Sequence, residues 1–529
     1  LLSLYLYGIR GLMIRRGPLL VPYDTFDKVR ARLKATALDY SGKASEFYVY
    51  HETPAGVLVP RYFLGTEQLL LAENEQPHQT DPQFPAFAGS LWPEQEDGVK
   101  RALSVLRNRL GVFLNARPGS GKTVAALYIA TRLKPQQVLV LVDQDNLAQQ
   151  WCERIREYVP GATISFIMPL DSQRELYKKT GIPEPSSMRH FDTRGQFIVC
   201  MAQTYMRHPQ VLRVGMVIVD EAHVFSAPCF SQTIFHVNFN WSLALSATSE
   251  RRDGNEWVFR QMLGTDTVVM HGKTEKARAL FYGVDTTFLR WSDPTPNDKA
   301  SWFRCVWCRW HEKMTCRYEC DRCSTAKSLG TSSPQALKQT CASLYKISDY
   351  NELAVEKMLV DDPVYNAWII ETLKPFLATG RDIFVFSRLR AHLEHLQLLI
   401  ELTYGKVSGL YLGNATTQAG RRSNEKALQM PVTLATYGKA GKGLDIQRKD
   451  GAIFAGPIGK HTVEQATGRI ERVMEGKKHP VVVHPVIPFP THVARMRGCL
   501  GFYRRNNYDV RIEQDLESKT RRSGGQKGG

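Results

Sequence analysis

The chain is predicted to be an α/β protein built from two tandem parallel-sheet lobes, and three observations lead there. First, strand-like apolar runs alternate with helical ones in two blocks, at about 90–250 and 365–490. In the first block the runs are Val138–Val142, Phe197–Cys200, Met216–Val219 and Trp241–Leu245, and in the second Asp382–Phe386, Val432–Thr436 and Val481–Val483. Such alternation is the mark of a parallel sheet covered by helices on both faces. Second, Ala116-Arg117-Pro118-Gly119-Ser120-Gly121-Lys122-Thr123 joins the apolar run Gly111–Leu114 to the helical run Val124–Ala130. Third, Asp220-Glu221-Ala222-His223 follows the buried-strand pattern Met216–Val219.

Around these blocks the chain divides into five expected parts. Residues 1–85 read as a small α+β amino-terminal domain, with helical spacing over Thr25–Leu33 and a hairpin of Phe47–Tyr50 with Gly56–Phe63 across Thr53–Ala55. The apolar opening Leu1–Tyr7 reads as a strand rather than a signal peptide. The first lobe is expected over 86–270, a cysteine-rich zinc-binding insert and linker over 271–350, the second lobe over 351–492 and a basic tail over 493–529. At 529 residues there is enough chain for more than one core. No apolar stretch is long enough to span a membrane, so no membrane partner is expected. The net charge of +17 favours a polyanionic partner, nucleic acid above all. Oligomeric state is not set by these features.

The second and third observations carry chemistry. Glycines let backbone N–H groups turn inward onto phosphate oxygens, and the following helix adds its N-terminal dipole. Gly119, Ser120, Gly121, Lys122 and Thr123 are thus the expected nucleotide cradle, with Lys122 on the β/γ-phosphates and the Thr123 hydroxyl on Mg2+. Asp220 is expected to hold the same metal and Glu221 to orient the attacking water. Gln95, in Leu91-Trp92-Pro93-Glu94-Gln95, stands where an amide would read adenine. The residues describe a nucleoside triphosphatase using ATP and Mg2+.

Further short signals arrive in order: Leu141–Trp151, Ser246-Ala247-Thr248, Thr436–Asp445, and Gln465-Ala466-Thr467-Gly468-Arg469-Ile470-Glu471-Arg472. With them the chain resembles the superfamily 2 helicases and translocases over roughly residues 90–250 and 365–485, the Asp-Glu-Ala-His run being a DEAH box. Within the superfamily it is similar to the group holding phage recombination helicases, XPB-type helicases and transcript-release helicases of large DNA viruses. The Gln-Gln-Trp ending of Leu147–Trp151 and the run Leu245–Gly254 carry that likeness, with Val59–Phe63 as a less specific sign. The resemblance implies two RecA-like lobes and a split site. Lys122, Asp220 and Glu221 come from the first lobe; Gln465, Arg469 and Arg472 come from the second, with at least one arginine acting as a finger when the cleft closes. It implies that Asp445 sits near the nucleotide, that Ser246 and Thr248 couple ATP to the nucleic-acid path, and that Thr436 holds phosphates of the tracked strand. The implied activity is ATP-driven movement along nucleic acid, DNA favoured over RNA, in a replication, recombination or transcription complex. Three alternatives stay open: an RNA helicase, a helicase-fold structural or assembly subunit, and a restriction-type motor with a separate nuclease.

Five of the ten cysteines crowd into 305–323. Cys305-Val306-Trp307-Cys308 and Cys320-Asp321-Arg322-Cys323 are two knuckles eleven residues apart, the spacing of a tetrahedral Zn2+ site, with an iron–sulfur cluster as rival. Basic residues and Trp302, Trp307 and Trp310 in this insert suit nucleic-acid contact or a small packed scaffold equally. The scattered remaining cysteines suit an intracellular, reducing compartment: nucleus, cytoplasm or, for a viral protein, the virion.

Overall fold

Alternation of side chains to the two faces of a strand explains the central apolar runs. In the computed structural model Val138, Val140 and Val142 enter one core while Leu139 and Leu141 enter another. The second sheet repeats the pattern, with Ile383 and Val385 on one face and Phe384 and Phe386 on the other. A strand covered on both faces has no polar positions, which is why these segments read as unbroken hydrophobic runs. The structure describes residues 17–27, 30–38, 44–63, 80–246, 254–287, 291, 352–412, 418–437 and 448–513. They fall into two units, Leu1–Thr274 and Glu275–Gly529.

The first unit begins with five short strands: β1 (Leu19–Val21), β2 (Lys34–Leu38), β3 (Ala44–Tyr48), β4 (His51–Thr53) and β5 (Gly56–Val59). They form an antiparallel sheet in the order β1-β5-β4 and a separate β2-β3 pair. The expected turn at Thr53–Ala55 is present between β4 and β5. Phe47 and Tyr48 pair instead with Ala35 and Lys34. The helical spacing over Thr25–Leu33 resolves into two single turns, Tyr23–Phe26 and Arg30–Leu33.

Val59–Phe63, which the sequence marks as a family-like segment, is the fastener of this small domain. Arg61 is buried, and its guanidinium donates to the Phe239 and Asn240 carbonyls at 3.2 and 2.9 Å. The Tyr62 N–H donates to Gln261 O at 2.8 Å and its hydroxyl to Arg109 O at 3.0 Å. A buried guanidinium requires such acceptors, so Arg61 fixes where the domain sits on the first lobe.

The first lobe holds β6 (Gly111–Ala116), β7 (Val138–Val142), β8 (Ile164–Ile167), β9 (Phe197–Met201), β10 (Leu212–Val219), β11 (Val237–Ser246) and β12 (Thr267–Met270). All seven strands are parallel, in the order β12-β6-β11-β10-β7-β9-β8. Its helices include α1 (Pro93–Arg109), α2 (Lys122–Leu133) and α3 (Asp145–Tyr158).

The second unit holds another seven-stranded parallel sheet, in the order β15-β16-β14-β17-β18-β13-β19. Its strands are β13 (Arg278–Gly283), β14 (Ile383–Ser387), β15 (Ser408–Tyr411), β16 (Val432–Thr436), β17 (Gly451–Phe454), β18 (Val481–Val486) and β19 (Val510–Ile512). Helices α4 (Lys460–Ile470) and α5 (Pro490–Arg505) follow β17 and β18. This sheet draws β13 from the stretch read as insert and β19, with most of α5, from the stretch read as a basic tail. The charges misled: α5 exposes Arg497, Arg504 and Arg505 on one side and buries Met496, Cys499, Phe502 and Tyr503 on the other. The four zinc-site cysteines, Cys305, Cys308, Cys320 and Cys323, lie outside the described residues. Among the described residues no cluster of His, Cys, Asp and Glu is placed to hold a metal, and no helix is long and apolar enough to cross a membrane.

Candidate nucleotide site

Three neighbouring strands, β6, β11 and β10, deliver the first lobe's motifs to one edge of the sheet. The phosphate loop leaves the carboxyl end of β6, Ser246 ends β11 opposite Asn115, and Asp220 follows β10, whose Val219 pairs with Ala244. Ligands of open parallel sheets bind outside these carboxyl ends.

The loop is shaped for an anion. Gly119 and Gly121 take φ of +81° and +77°, a region open to glycine at little steric cost. Gly121 is the N-cap of α2, and no side chain caps the helix N-terminus. Lys122 Nζ donates to the Ala116 carbonyl at 3.1 Å, which folds the side chain back over the loop. Ser120 Oγ closes the turn on Arg117 O at 2.7 Å.

Gln95 is buried at the start of α1 and braces this loop. Its amide nitrogen donates to Ser120 O at 2.8 Å, and its oxygen accepts the Trp92 N–H at 2.9 Å. The amide expected to read adenine is therefore engaged with loop backbone in this structure, while the Trp92 ring stands exposed beside Gly121. Behind the loop, a Cβ on Gly272 would lie 2.3 Å from Ser120 Cα, so only glycine fits there.

Of the acidic pair beside the lysine, Asp220 is buried and Glu221 half-buried. Asp220 Oδ1 accepts the Glu221 N–H at 2.9 Å and Oδ2 accepts the Trp151 indole N–H at 2.9 Å. Burial, and then the neighbouring Glu221 charge, push the Asp220 carboxyl up to about 6, while Lys122 pulls the other way. Glu221 adopts a left-handed φ of +48°, rare for a residue with a side chain. Its Oε2 is buried, makes no hydrogen bond and lies 3.4 Å from His223 Nδ1. His223 Nδ1 in turn is 2.9 Å from Ser246 Oγ, tying the acidic motif to the end of β11. The Asp220 carboxylate and Thr123 hydroxyl are the hard oxygen donors that Mg2+ takes, and Glu221 Oε2, which makes no hydrogen bond, is an acceptor suited to a water. Trp151 is the site residue that motif reading missed; its place in Gln-Gln-Trp was the signal.

Asp220 gives a pH prediction. Because its folded pKa lies above the ordinary 3.8, the proton is bound more tightly in the folded state. That stabilisation is fully present below the unfolded value and is lost as pH rises through about 6. In metal-free buffer, the unfolding free energy of wild type relative to Asp220→Asn should fall by on the order of 2–3 kcal/mol between about pH 4 and pH 7. Denaturant titrations of both proteins across that range check it; a constant difference would refute it.

In the second unit, Gln465 and Arg469 lie one helical turn apart on α4, and Arg472 lies just beyond its end. Arg469 is buried. The helix is held from behind: the hydroxyls of Thr467 and Tyr503 are 3.1 Å apart, and the Tyr503 hydroxyl is 3.0 Å from His484 Nε2. Between the two arginines, buried Glu471 accepts the Ala277 N–H on its carboxylate at 3.0 Å and the Glu275 N–H on its carbonyl at 2.9 Å. The first residues of the unit are thereby fastened to the arginine segment. Thr436 ends β16, whereas Asp445 and Thr248 lie outside the described residues.

A family model described as "Type III restriction enzyme, res subunit" matches residues 89–251. The chain is 22% identical over 498 residues to a candidate ATP-dependent RNA helicase of Acanthamoeba polyphaga mimivirus, covering 90% of this chain and 80% of that one. It is 27% identical over 209 residues to a candidate helicase of Invertebrate iridescent virus 3, covering 38% of this chain and 57% of the relative. The crystal structure of the Pyrococcus furiosus Hef helicase domain superposes with a TM-score of 0.43 at 15% identity, over 76% of this chain and 97% of that one. Paired parallel-sheet lobes, the motif series and the relatives define a superfamily 2 helicase/translocase fold. The chain is an ATP-dependent enzyme of that class, related to viral helicases.

Proposed function

We propose that the chain is a DNA helicase or translocase that couples ATP hydrolysis to movement along the strand. The observation that supports this most is the convergence of the phosphate loop, Asp220–Glu221–His223 and Ser246 on the carboxyl ends of three adjacent strands. Phosphoryl transfer from ATP is mainly positioning and charge neutralisation. In this reading the α2 N-terminus and Lys122 hold the β/γ-phosphates, and the Asp220 carboxylate and Thr123 hydroxyl hold Mg2+. Bound there, the ion would neutralise charge on the phosphates. Glu221 orients the attacking water, and the role expected of Arg469 or Arg472, with Gln465, is to meet the charge that develops on the γ-phosphate. The His223–Ser246 hydrogen bond ties that site to the end of β11, and Ser246 with Thr248 couples it to the nucleic-acid path. Asp445 completes the nucleotide contacts and Thr436 the strand contacts.

The net charge of +17 supports a nucleic-acid partner. DNA is favoured by the likeness of Leu147–Trp151 and Leu245–Gly254 to recombination, XPB-type and transcript-release helicases, and such a motor would work within a replication or transcription complex. RNA is the second reading, because the mimivirus relative is named for RNA. ATP turnover with DNA and RNA of matched length and sequence separates them. The DNA reading expects the larger stimulation from DNA; stimulation by RNA alone would overturn it. Buried free thiols at Cys152, Cys200 and Cys499 support an intracellular, reducing compartment.

The paired spacing of Cys305, Cys308, Cys320 and Cys323 supports a structural zinc site in the insert. Metal analysis of the purified chain should find zinc in equimolar amount, lost on Cys305→Ser with Cys320→Ser. A zinc-free or iron-loaded wild type would refute this assignment.

A further inference from the structure

We infer that Trp151 is a positioning residue for the metal-binding carboxylate, acting through its indole N–H on Asp220. The inference rests on the proposed role of Asp220. Trp151 projects from α3, the helix that follows β7, and β7 pairs with β10, the strand that ends at Asp220. The residue is 1% exposed and belongs to the same core as Leu147, Ala148 and Ile155. Those neighbours would be served by any large apolar side chain at this position. A tryptophan differs in one respect: it carries a single donor and no acceptor, and a buried indole N–H needs a partner. Here the partner is Asp220 Oδ2, at 2.9 Å.

Geometry makes the choice of oxygen consequential. The Glu221 N–H already occupies one lone-pair direction on Oδ1. The indole occupies one on Oδ2, so the carboxylate plane is fixed from two sides and one lone pair on each oxygen remains for a cation. Without the indole, one bond is left to hold the carboxylate, and it turns about its Cβ–Cγ axis. A ligand that must be reoriented before it binds holds its ion less tightly, and loss of an outer partner typically lowers metal affinity about 10–100-fold. Trp151 also closes Leu147–Trp151, a segment that lies within α3.

The test reads metal binding directly. Mn2+ binding to the complex of the full chain with a non-hydrolysable ATP analogue is followed by electron paramagnetic resonance. Wild type is compared with Trp151→Phe, with Asp220→Ala, and with replacement of Trp151 by β-(3-benzothienyl)alanine, which keeps the ring shape and removes the N–H. The expected result is Mn2+ affinity weakened about tenfold or more in both Trp151 variants, with analogue affinity in the absence of metal unchanged. If Trp151→Phe does not fold, the isosteric replacement decides alone. Unchanged Mn2+ affinity in a folded Trp151 variant, alongside lost affinity in Asp220→Ala, overturns the positioning role and leaves the nucleotide site standing. Unchanged affinity in Asp220→Ala overturns the assignment of Asp220 itself, and the role of Trp151 with it.

Discussion

Glu221→Gln is expected to slow ATP hydrolysis by about 10²–10⁴-fold while leaving nucleotide affinity within roughly twofold of wild type. The change keeps the size and shape of the side chain, so the surroundings need not move. What it removes is the anionic acceptor. In the structure that acceptor is the buried Oε2, which makes no hydrogen bond, beside a histidine already engaged with Ser246. The left-handed backbone of Glu221 adds to the case, because such a conformation costs about 1–2 kcal/mol in a residue with a Cβ and persists where the site requires it. Since glutamine tolerates this backbone no worse than glutamate, a loss of rate in the variant is not a loss of fold. Single-turnover hydrolysis, set against titration with a fluorescent ATP analogue, measures the two quantities separately. Near-normal turnover would remove Glu221 from the reaction.

Arg469→Ala and Arg472→Ala form the second large expectation. At least one of them should lower kcat by about 10³-fold or more, the scale on which an arginine finger acts, with little change in nucleotide affinity. Lysine should not rescue it, because a planar fork of donors is replaced by a point charge. Arg469 has the stronger structural case. It sits in the last turn of α4, and the Thr467–Tyr503–His484 contacts fix that helix from the core side. Burial holds His484 neutral, pushing its imidazolium down to about 3, so this brace does not change across the working pH range. Arg472 lies past the helix end, next to the Glu471 bonds to Glu275 and Ala277. Rapid-quench measurements on both variants and on Arg469→Lys check the expectation. If both alanine variants kept their turnover, neither arginine would have a catalytic part.

Much of the fold was legible because parallel strands buried on both faces leave unmistakable runs. Val138–Val142 and Val432–Thr436 emerge with the residues the sequence marks. The phosphate loop was legible for a related reason: glycines at 119 and 121 have a geometric purpose visible in sequence. What escaped reading follows from tertiary context. The strand Arg278–Gly283 is short, mixed in polarity and separated from its partners by the insert, so nothing local announces its place between β18 and β19. The helix Pro490–Arg505 hides its apolar face among arginines. The bond from Trp151 to Asp220 joins residues 69 apart, and no spacing rule relates them. Gln95 stands out in the sequence as an adenine reader, whereas its use as a brace for Ser120 depends on where α1 packs.

The central claim is that this site powers movement along nucleic acid, and strand displacement tests it most directly. Partial duplexes of DNA, RNA and hybrid with single-stranded overhangs of either polarity are incubated with wild type and with Lys122→Ala, with and without ATP. The account predicts displacement by wild type that requires ATP, favours a DNA track and disappears in Lys122→Ala. Equal displacement by Lys122→Ala, or wild-type turnover of ATP that moves no strand on any substrate, would contradict it.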